Sequence, residues 1–500
     1  MGVIVRMTGP EARVLKVPEG SWHILADREA AREDLPEPGS GSIDWARSAS
    51  RFEELTAVFL PGDPEGSLPC QAFRSLYSGF ELFRVETPEG DLLLTDDFKV
   101  AAKAGGKRKT SVVPLLDYFL FQYPAGDETF LPDLFRLGPG EALIVDPRGI
   151  GRPRFRQAED LRLPRQVSHR EALEKVWEAL SGSVDSALRG VPDAAVLLSG
   201  GIDSTLVALF GGRRAVALHA AIDSPELAYE EDYAEASCRA LKIPLIRVLF
   251  EESGFLVDLE DAIGKIGRPF PVTNFQTVFH NRLFRLPYDL FLSGDIADRL
   301  FGRSLEPTGN GVDSPISRLV RYCPLDLLNR LFGRDLVESR LRHYGSVLEK
   351  LAGPDSEALS VDSKADLLIF FGLNYWIHFF RPLAAAYGRR FIAPYGRRAV
   401  FEAAMSCREQ EQNDRGHPKP LLREMLRELL PGYPTDGKKG GTGVPRTRFC
   451  RTGPLKDFFR THELPSAIDP RFVPLFREPE WETSALVLQA AAYRIWEDTR

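Results

Sequence analysis

The sequence predicts an α/β protein in two parts, and three observations carry that prediction. Short apolar runs bounded by Gly, Pro and Asp fill the first third of the chain. Beyond residue 168, apolar runs of strand length alternate with helical patterns, the signature of a parallel sheet covered on both faces. The first of those later runs opens directly into a glycine turn and a helix.

Taken in order, residues 90–95 (GDLLLT) and 141–146 (EALIVD) read as strands closed by turns. A charged, Pro-containing stretch at 155–168 marks the boundary, so the domains are expected at 1–160 and 168–500. A helix follows, opened by a Ser168 to Glu171 capping box and carrying Leu173, Val176, Trp177, Leu180 and Val184 at helical spacing. Residues 194–198, 215–222, 245–250 and 288–292 are the expected parallel strands. The remainder, from 315 on, reads as mostly helical, with residues 367–380 a buried helix too short for the roughly 20 residues of a bilayer span.

Composition narrows the function classes. Of 500 residues, 43% are hydrophobic and 27% charged, which excludes wholesale disorder. Lys plus Arg 64 against Asp plus Glu 71 gives a net charge of −7, so no global basic field grips a phosphate backbone and nucleic acid is not an expected partner. Cys70, Cys238, Cys323, Cys407 and Cys450 are too far apart for C-x-x-C metal spacing or a dense disulfide framework, which suits a reducing cytosol. The first residues lack a secretory apolar core, and a cytoplasmic location with no membrane partner is expected.

The segment AAVLLSGGIDSTLVALF carries the chemistry. A strand, the small-residue turn Ser199-Gly200-Gly201 and a helix beginning near Asp203 make an anion site: glycines let backbone N–H groups approach phosphate, and the helix N-terminus adds positive partial charge. Asp203 is odd beside an anion alone. It becomes sensible when Mg²⁺ bridges it to phosphate oxygens, since a hard dication takes both kinds of oxygen. Neither G-x-x-x-x-G-K-[ST] nor a strand-to-helix G-x-G-x-x-G occurs in the chain.

At these residues the chain resembles the asparagine-synthetase superfamily, whose pyrophosphate loop reads S-G-G-x-D-S and belongs to the N-type ATP pyrophosphatases. Four more matches follow the family's order. Residues 121–140, with Phe121-Gln122-Tyr123-Pro124 and Leu137-Gly138-Pro139-Gly140, look like the end of its N-terminal domain. Glu231-Asp232-Tyr233-Ala234 resembles its D-E-x-x-Y-A helix, and Leu292-Ser293-Gly294-Asp295-Ile296-Ala297-Asp298-Arg299-Leu300-Phe301-Gly302 is similar to L-S-G-E-G-x-D-E-L-F-G. Lys419-Pro420-Leu421-Leu422-Arg423 with Leu429-Leu430-Pro431 resembles K-x-x-L-R…L-P, and Lys438 and Lys439 fall where an active-site lysine is expected. The resemblance implies an N-terminal Ntn-hydrolase-like αββα sandwich and a C-terminal doubly wound parallel sheet of the adenine nucleotide alpha hydrolase kind, with added helices. It implies ATP and Mg²⁺ as cofactors, nucleotide contacts from Leu198, Ser199, Gly200, Gly201, Asp203, Ser204 and Gly294, and metal binding by Asp203 and Asp298.

The departures bear on substrate. Glutamine-using members carry a cysteine nucleophile as residue 2, where this chain has Gly2, so a glutaminase-like domain without thiol chemistry is expected. β-Lactam synthetases and lasso-peptide cyclases share that loss, and both close rings. Asp295 stands where asparagine synthetases carry Glu and β-lactam synthetases Tyr; a carboxylate there can act as a base or orient an ammonium nucleophile. Lys438 and Lys439 lie in a Gly-rich stretch, and either can stabilise charge on the α-phosphate. The sequence does not say which. The aromatic run Phe370, Phe371, Tyr375, Trp376, Phe379 and Phe380 reads as core, and His378 as a satisfied core histidine. Arg299 reverses a charge beside the metal position without an evident reason.

The expected reaction is therefore amide-bond formation through an acyl-adenylate, releasing AMP and pyrophosphate. The first expectation is macrolactam (isopeptide) closure on a peptide by a lasso-type cyclase, with a leader peptidase and a leader-binding protein as partners. The second is a small-molecule amide synthetase, β-lactam synthetase-like or ammonia-dependent asparagine synthetase-like. A third is a nucleotide-binding subunit without turnover.

Overall fold

The computed structural model describes residues 3–38, 42–62, 68–106, 110–124, 126–145, 154–157, 161–223, 228–273, 276–302, 316, 320, 323–352, 367, 377–407, 418–434 and 446–500. The chain forms two compact units that interleave in sequence. The first comprises Met1–Asp117, Tyr123–Arg162 and Arg340–His378; the second comprises Tyr118–Gln122, Leu163–Ser339 and Phe379–Arg500. Side-chain contacts made far along the chain set that grouping: Arg340, for example, binds both oxygens of Asp117 at 2.8 and 2.7 Å within the first unit.

Among the described residues the first unit holds ten strands: β1 (Val3–Arg6), β2 (Ala12–Val17), β3 (Gly20–Ala26), β4 (Leu55–Pro61), β5 (Cys70–Arg74), β6 (Phe83–Glu86), β7 (Leu92–Thr95), β8 (Leu134–Arg136), β9 (Glu141–Val145) and β10 (Arg154–Gln157). They make a six-stranded sheet in the order β10-β9-β5-β4-β3-β2 and a four-stranded sheet in the order β1-β7-β6-β8. The two-residue period of β4 sends Ala57 and Phe59 to one face, packed on Trp22, Phe73 and Trp45 of the helix Ser42–Ala49. Val58 points the other way, into a cluster with Leu92, Leu94, Leu143 and Val145 that both sheets share. On the outer face of the four-stranded sheet, Phe98 of the helix Phe98–Ala104 meets Phe83 edge to face at 5.5 Å. The layers thus run helix, sheet, sheet, helix, as a glutaminase-like sandwich requires. His378 is 1% exposed, with Nε2 3.0 Å from Arg74 Nη2, and belongs to this core. Phe370, Phe371, Tyr375 and Trp376 lie outside the described residues; Phe379 and Phe380 are buried.

Among the described residues the second unit is built on five parallel strands, β11 (Ala194–Leu197), β12 (Ala215–Ile222), β13 (Leu245–Phe250), β14 (Leu290–Ser293) and β15 (Arg390–Ile392), in the order β13-β12-β11-β14-β15. Central β11 and β14 are buried at every position, as expected where helices cover both faces of a parallel sheet. The helix His169–Leu188 starts where Ser168 Oγ accepts from the Glu171 N–H at 3.3 Å, and it turns Leu173, Val176, Leu180 and Val184 inward. Strand order reverses between β11 and β14, so the crevice beyond their carboxyl ends is where a doubly wound sheet places its ligand. At three residues, β15 is too short to show a periodicity, and the sequence reading of the region as helical omits it.

All five cysteines are buried and unpaired with one another. Burial pushes the Cys70, Cys323 and Cys450 thiols up to about 12 and Cys238 to about 11. Native protein at pH 8 is therefore expected to leave these thiols essentially unlabelled by a disulfide reagent within minutes, and denatured protein to release all five. Rapid labelling of native Cys70 contradicts the described interior.

Candidate active site

The turn after β11 is pinned before it begins. Leu198 N donates to Leu218 O at 2.8 Å, and Leu198 O lies 2.9 Å from His219 Nδ1. Burial lowers the His219 pKa, so at pH 7 the ring is neutral and its Nδ1–H donates to that carbonyl. Within the turn, Ser199 N donates to Ser204 Oγ at 3.2 Å, and Ser204 Oγ donates to Gly201 O at 3.2 Å. Gly200 has φ +74°, and a Cβ there would lie 2.3 Å from the Tyr233 carbonyl carbon and 2.4 Å from Ala234 N. Glycine is obligatory on both counts. The same contact explains the Tyr233-Ala234 pair: the helix Ala228–Leu241 presents fully buried Ala234 so that the turn can lie against its backbone. Gly201 then caps the helix Ile202–Gly211, placing Asp203 in its first turn.

A residue that the sequence reading passed over locks the turn from outside. The Tyr433 hydroxyl donates to Gly200 O at 3.0 Å and sits 2.7 Å from Ser237 Oγ.

The second loop follows β14. A Cβ at Gly294 would meet Ser204 N at 2.6 Å and the Asp203 carbonyl carbon at 2.9 Å, so the two loops touch backbone to backbone. Asp295 N donates to Ser293 Oγ at 3.3 Å, which places Asp295 on this loop three residues before Asp298. Ile296, between them, has φ +78° and ψ −26°, a left-handed conformation that a β-branched residue resists; the resembling motif has Gly there. Ile296→Gly removes about 1–2 kcal/mol of left-handed strain and adds back about 0.5–1 kcal/mol of backbone entropy. A rise in Tm of up to about 2 °C is expected, and a fall would show that Ile296 packing outweighs its strain.

The loops converge on one cation. Lys419 Nζ donates to Asp203 Oδ2 and pairs with Asp298 Oδ1, bringing the two acids that the sequence singles out to a single atom. Lys419 and Asp203 side chains are 7% and 9% exposed, and Asp298 is 35% exposed at the mouth. Burial alone would pull the Lys419 pKa down; the two carboxylates outweigh it and hold it above the ordinary lysine value. The contribution of the Lys419 charge is therefore fully present at neutral pH and is lost as pH rises through that raised value. Tyr395 OH donates to Asp203 O at 3.3 Å and steadies the same turn.

Two carboxylates from separate loops meeting at one cationic atom form a hard-oxygen donor pair, which fits Mg²⁺. Among the described residues no group of three or more His, Cys, Asp or Glu gathers here or elsewhere, so an ion held by Asp203 and Asp298 would need further oxygen ligands. Lys438 and Lys439 lie outside the described residues. Lys419 was visible within the K-x-x-L-R match, but its partners are 121 or more positions away and no local pattern announces them.

The family model for asparagine synthase matches residues 175–471, which spans both loops, Lys419 and Tyr433. No curated protein matches the chain at a significant level.

Proposed function

Because the chain belongs to the asparagine synthase family, an ATP-dependent, AMP-forming carbon–nitrogen ligase family, we propose that its amide-forming reaction closes a macrolactam on a peptide. The activated group would be an Asp or Glu side-chain carboxylate, and the nucleophile the peptide's own N-terminal amine. The observation that carries the carboxylate-activating part of this reading is the meeting of Asp203 and Asp298 beside the Ser199–Ser204 turn, at the point where strand order reverses.

In this mechanism a substrate carboxylate oxygen attacks the α-phosphorus of ATP, the bond to the β-phosphate bridging oxygen breaks, and pyrophosphate departs into the turn. The amine then attacks the acyl carbon, the bond to AMP breaks, and the surplus amine proton goes to a base, for which Asp295 is suited by its place on the second loop. Amides of the turn and the helix N-terminus receive the developing phosphate charge, and the apposed loops exclude water from the mixed anhydride. Asp203 and Asp298 would hold Mg²⁺, which when bound would supply Lewis-acid neutralisation of phosphate charge. Either Lys438 or Lys439 would add charge at the α-phosphate.

The cysteines argue against glutamine as the source of the amine. Each is buried, so none offers the exposed thiolate that releases ammonia from glutamine. Asp295 in place of the β-lactam synthetase Tyr favours the peptide reading over the β-lactam one. A leader-binding protein and a leader peptidase would deliver such a peptide. No described helix is long and apolar enough to cross a membrane. The test offers a panel of linear peptides with a free N-terminal amine and an internal Asp or Glu, alongside β-amino acids and aspartate with ammonia. Loss of one water from a peptide with AMP release supports ring closure; turnover of only the small molecules moves the assignment to β-lactam-like or ammonia-dependent asparagine-forming chemistry.

A further inference from the structure

Resting on the reading that Asp203 and Asp298 hold the metal of a metal–nucleotide pair, we propose that Lys419 is the resident counter-cation of those carboxylates and makes metal binding conditional on nucleotide. Asp203 Oδ2 and Asp298 Oδ1 each already contact the Lys419 ammonium. A divalent ion seeking the same two oxygens meets a positive charge on both. The lysine backbone cannot retreat. Lys419 is held at φ +61° and ψ 50°, Pro420 follows as the first residue of the helix Pro420–Leu429, and Lys419 O accepts from Arg423 N at 3.0 Å.

Only the four-carbon side chain is free to turn, so the ammonium needs a new anionic partner within reach of its stem if it is to leave the acids. Phosphate oxygens held at the Ser199–Ser204 turn provide one, because Asp203 lies in that same turn's helix. As the metal takes the carboxylates, the ammonium passes to phosphate, and no charge is left buried without a partner. Metal alone lacks that exchange and binds weakly; metal with nucleotide binds as a unit. Lys419 is thus a positioning residue for the metal and a phosphate ligand in the loaded site.

The test titrates Mn²⁺ alone, α,β-methylene ATP alone and both together into the full chain. Free Mn²⁺ is read by electron paramagnetic resonance in the metal-only arm, and the unfolding temperature in every arm. The wild type is expected to bind Mn²⁺ weakly alone and to gain thermal stability beyond the nucleotide-only arm when both are present. Lys419→Met, its folding checked by far-ultraviolet circular dichroism, is expected to bind Mn²⁺ alone roughly tenfold or more tightly than the wild type. Equal affinities of the two proteins for Mn²⁺ overturn the proposal. Should the variant fail to fold, tight nucleotide-independent Mn²⁺ binding by the wild type overturns it by itself. If metal and nucleotide together bind nowhere, the ligase reading of this site falls and takes the proposal with it; if they bind jointly while Lys419→Met gains nothing, the proposal alone falls.

Discussion

Asp203→Asn is expected to slow carboxylate-dependent exchange of pyrophosphate into ATP by on the order of 10²–10³-fold, the scale of losing one well-placed electrostatic group at a reacting phosphate. The substitution keeps the shape of the side chain but removes one of the two charges that converge on Lys419. Folding should survive. Asp298 still holds the ammonium, and the backbone bond from Tyr395 OH to residue 203 does not depend on the carboxylate. The loss of stability therefore stays below the roughly 3–5 kcal/mol that follows when a buried charge loses every partner. Exchange at the wild-type rate in a folded Asp203→Asn protein would remove Asp203 from the metal site.

Gly200→Ala should be the most damaging single methyl in the second unit. Two effects add: about 1–2 kcal/mol for a non-glycine residue at φ +74°, and overlap with the backbone of Tyr233 and Ala234 at 2.3–2.4 Å. Relieving the overlap forces the turn away from the helix Ala228–Leu241, breaks its tie to Tyr433, and disperses the amides that would receive phosphate. A loss of about 3 kcal/mol or more is expected, together with loss of ATP binding by calorimetry. Gly190→Ala separates the two effects. Gly190 has φ +70° but nothing within 4 Å of the added Cβ, so only the conformational strain applies and ATP binding should persist. Equal damage from both substitutions would mean that the close approach at Gly200 is unimportant.

Local pattern made much of the second unit legible. Residues 215–222 and 245–250 are strands at the limits their apolar runs suggest, and the Ser168 cap begins the helix that its spacing predicts. The glycine turn could be placed because its chemistry is contiguous in sequence. What escaped is non-local. β15 is three residues long and owes its existence to pairing with β14, so propensity carries no trace of it. Tyr433 and Lys419 work through partners some 120–230 positions away, and the K-x-x-L-R string offers no hint that its lysine spans two acids. Ile296 is the converse case: its left-handed backbone is imposed by the turn between Asp295 and Asp298 against the preference of the residue, so propensity at that position points the wrong way.

The most direct measurement is exchange of labelled pyrophosphate into ATP by the full chain with Mg²⁺, with and without an acceptor carboxylate. Attack at the α-phosphorus predicts exchange that depends on the carboxylate and, once an amine is available, AMP as the nucleotide product. Formation of ADP and inorganic phosphate without any exchange would put the cleaved bond at the γ-phosphate, and the assignment of the Ser199–Ser204 turn to departing pyrophosphate would be contradicted.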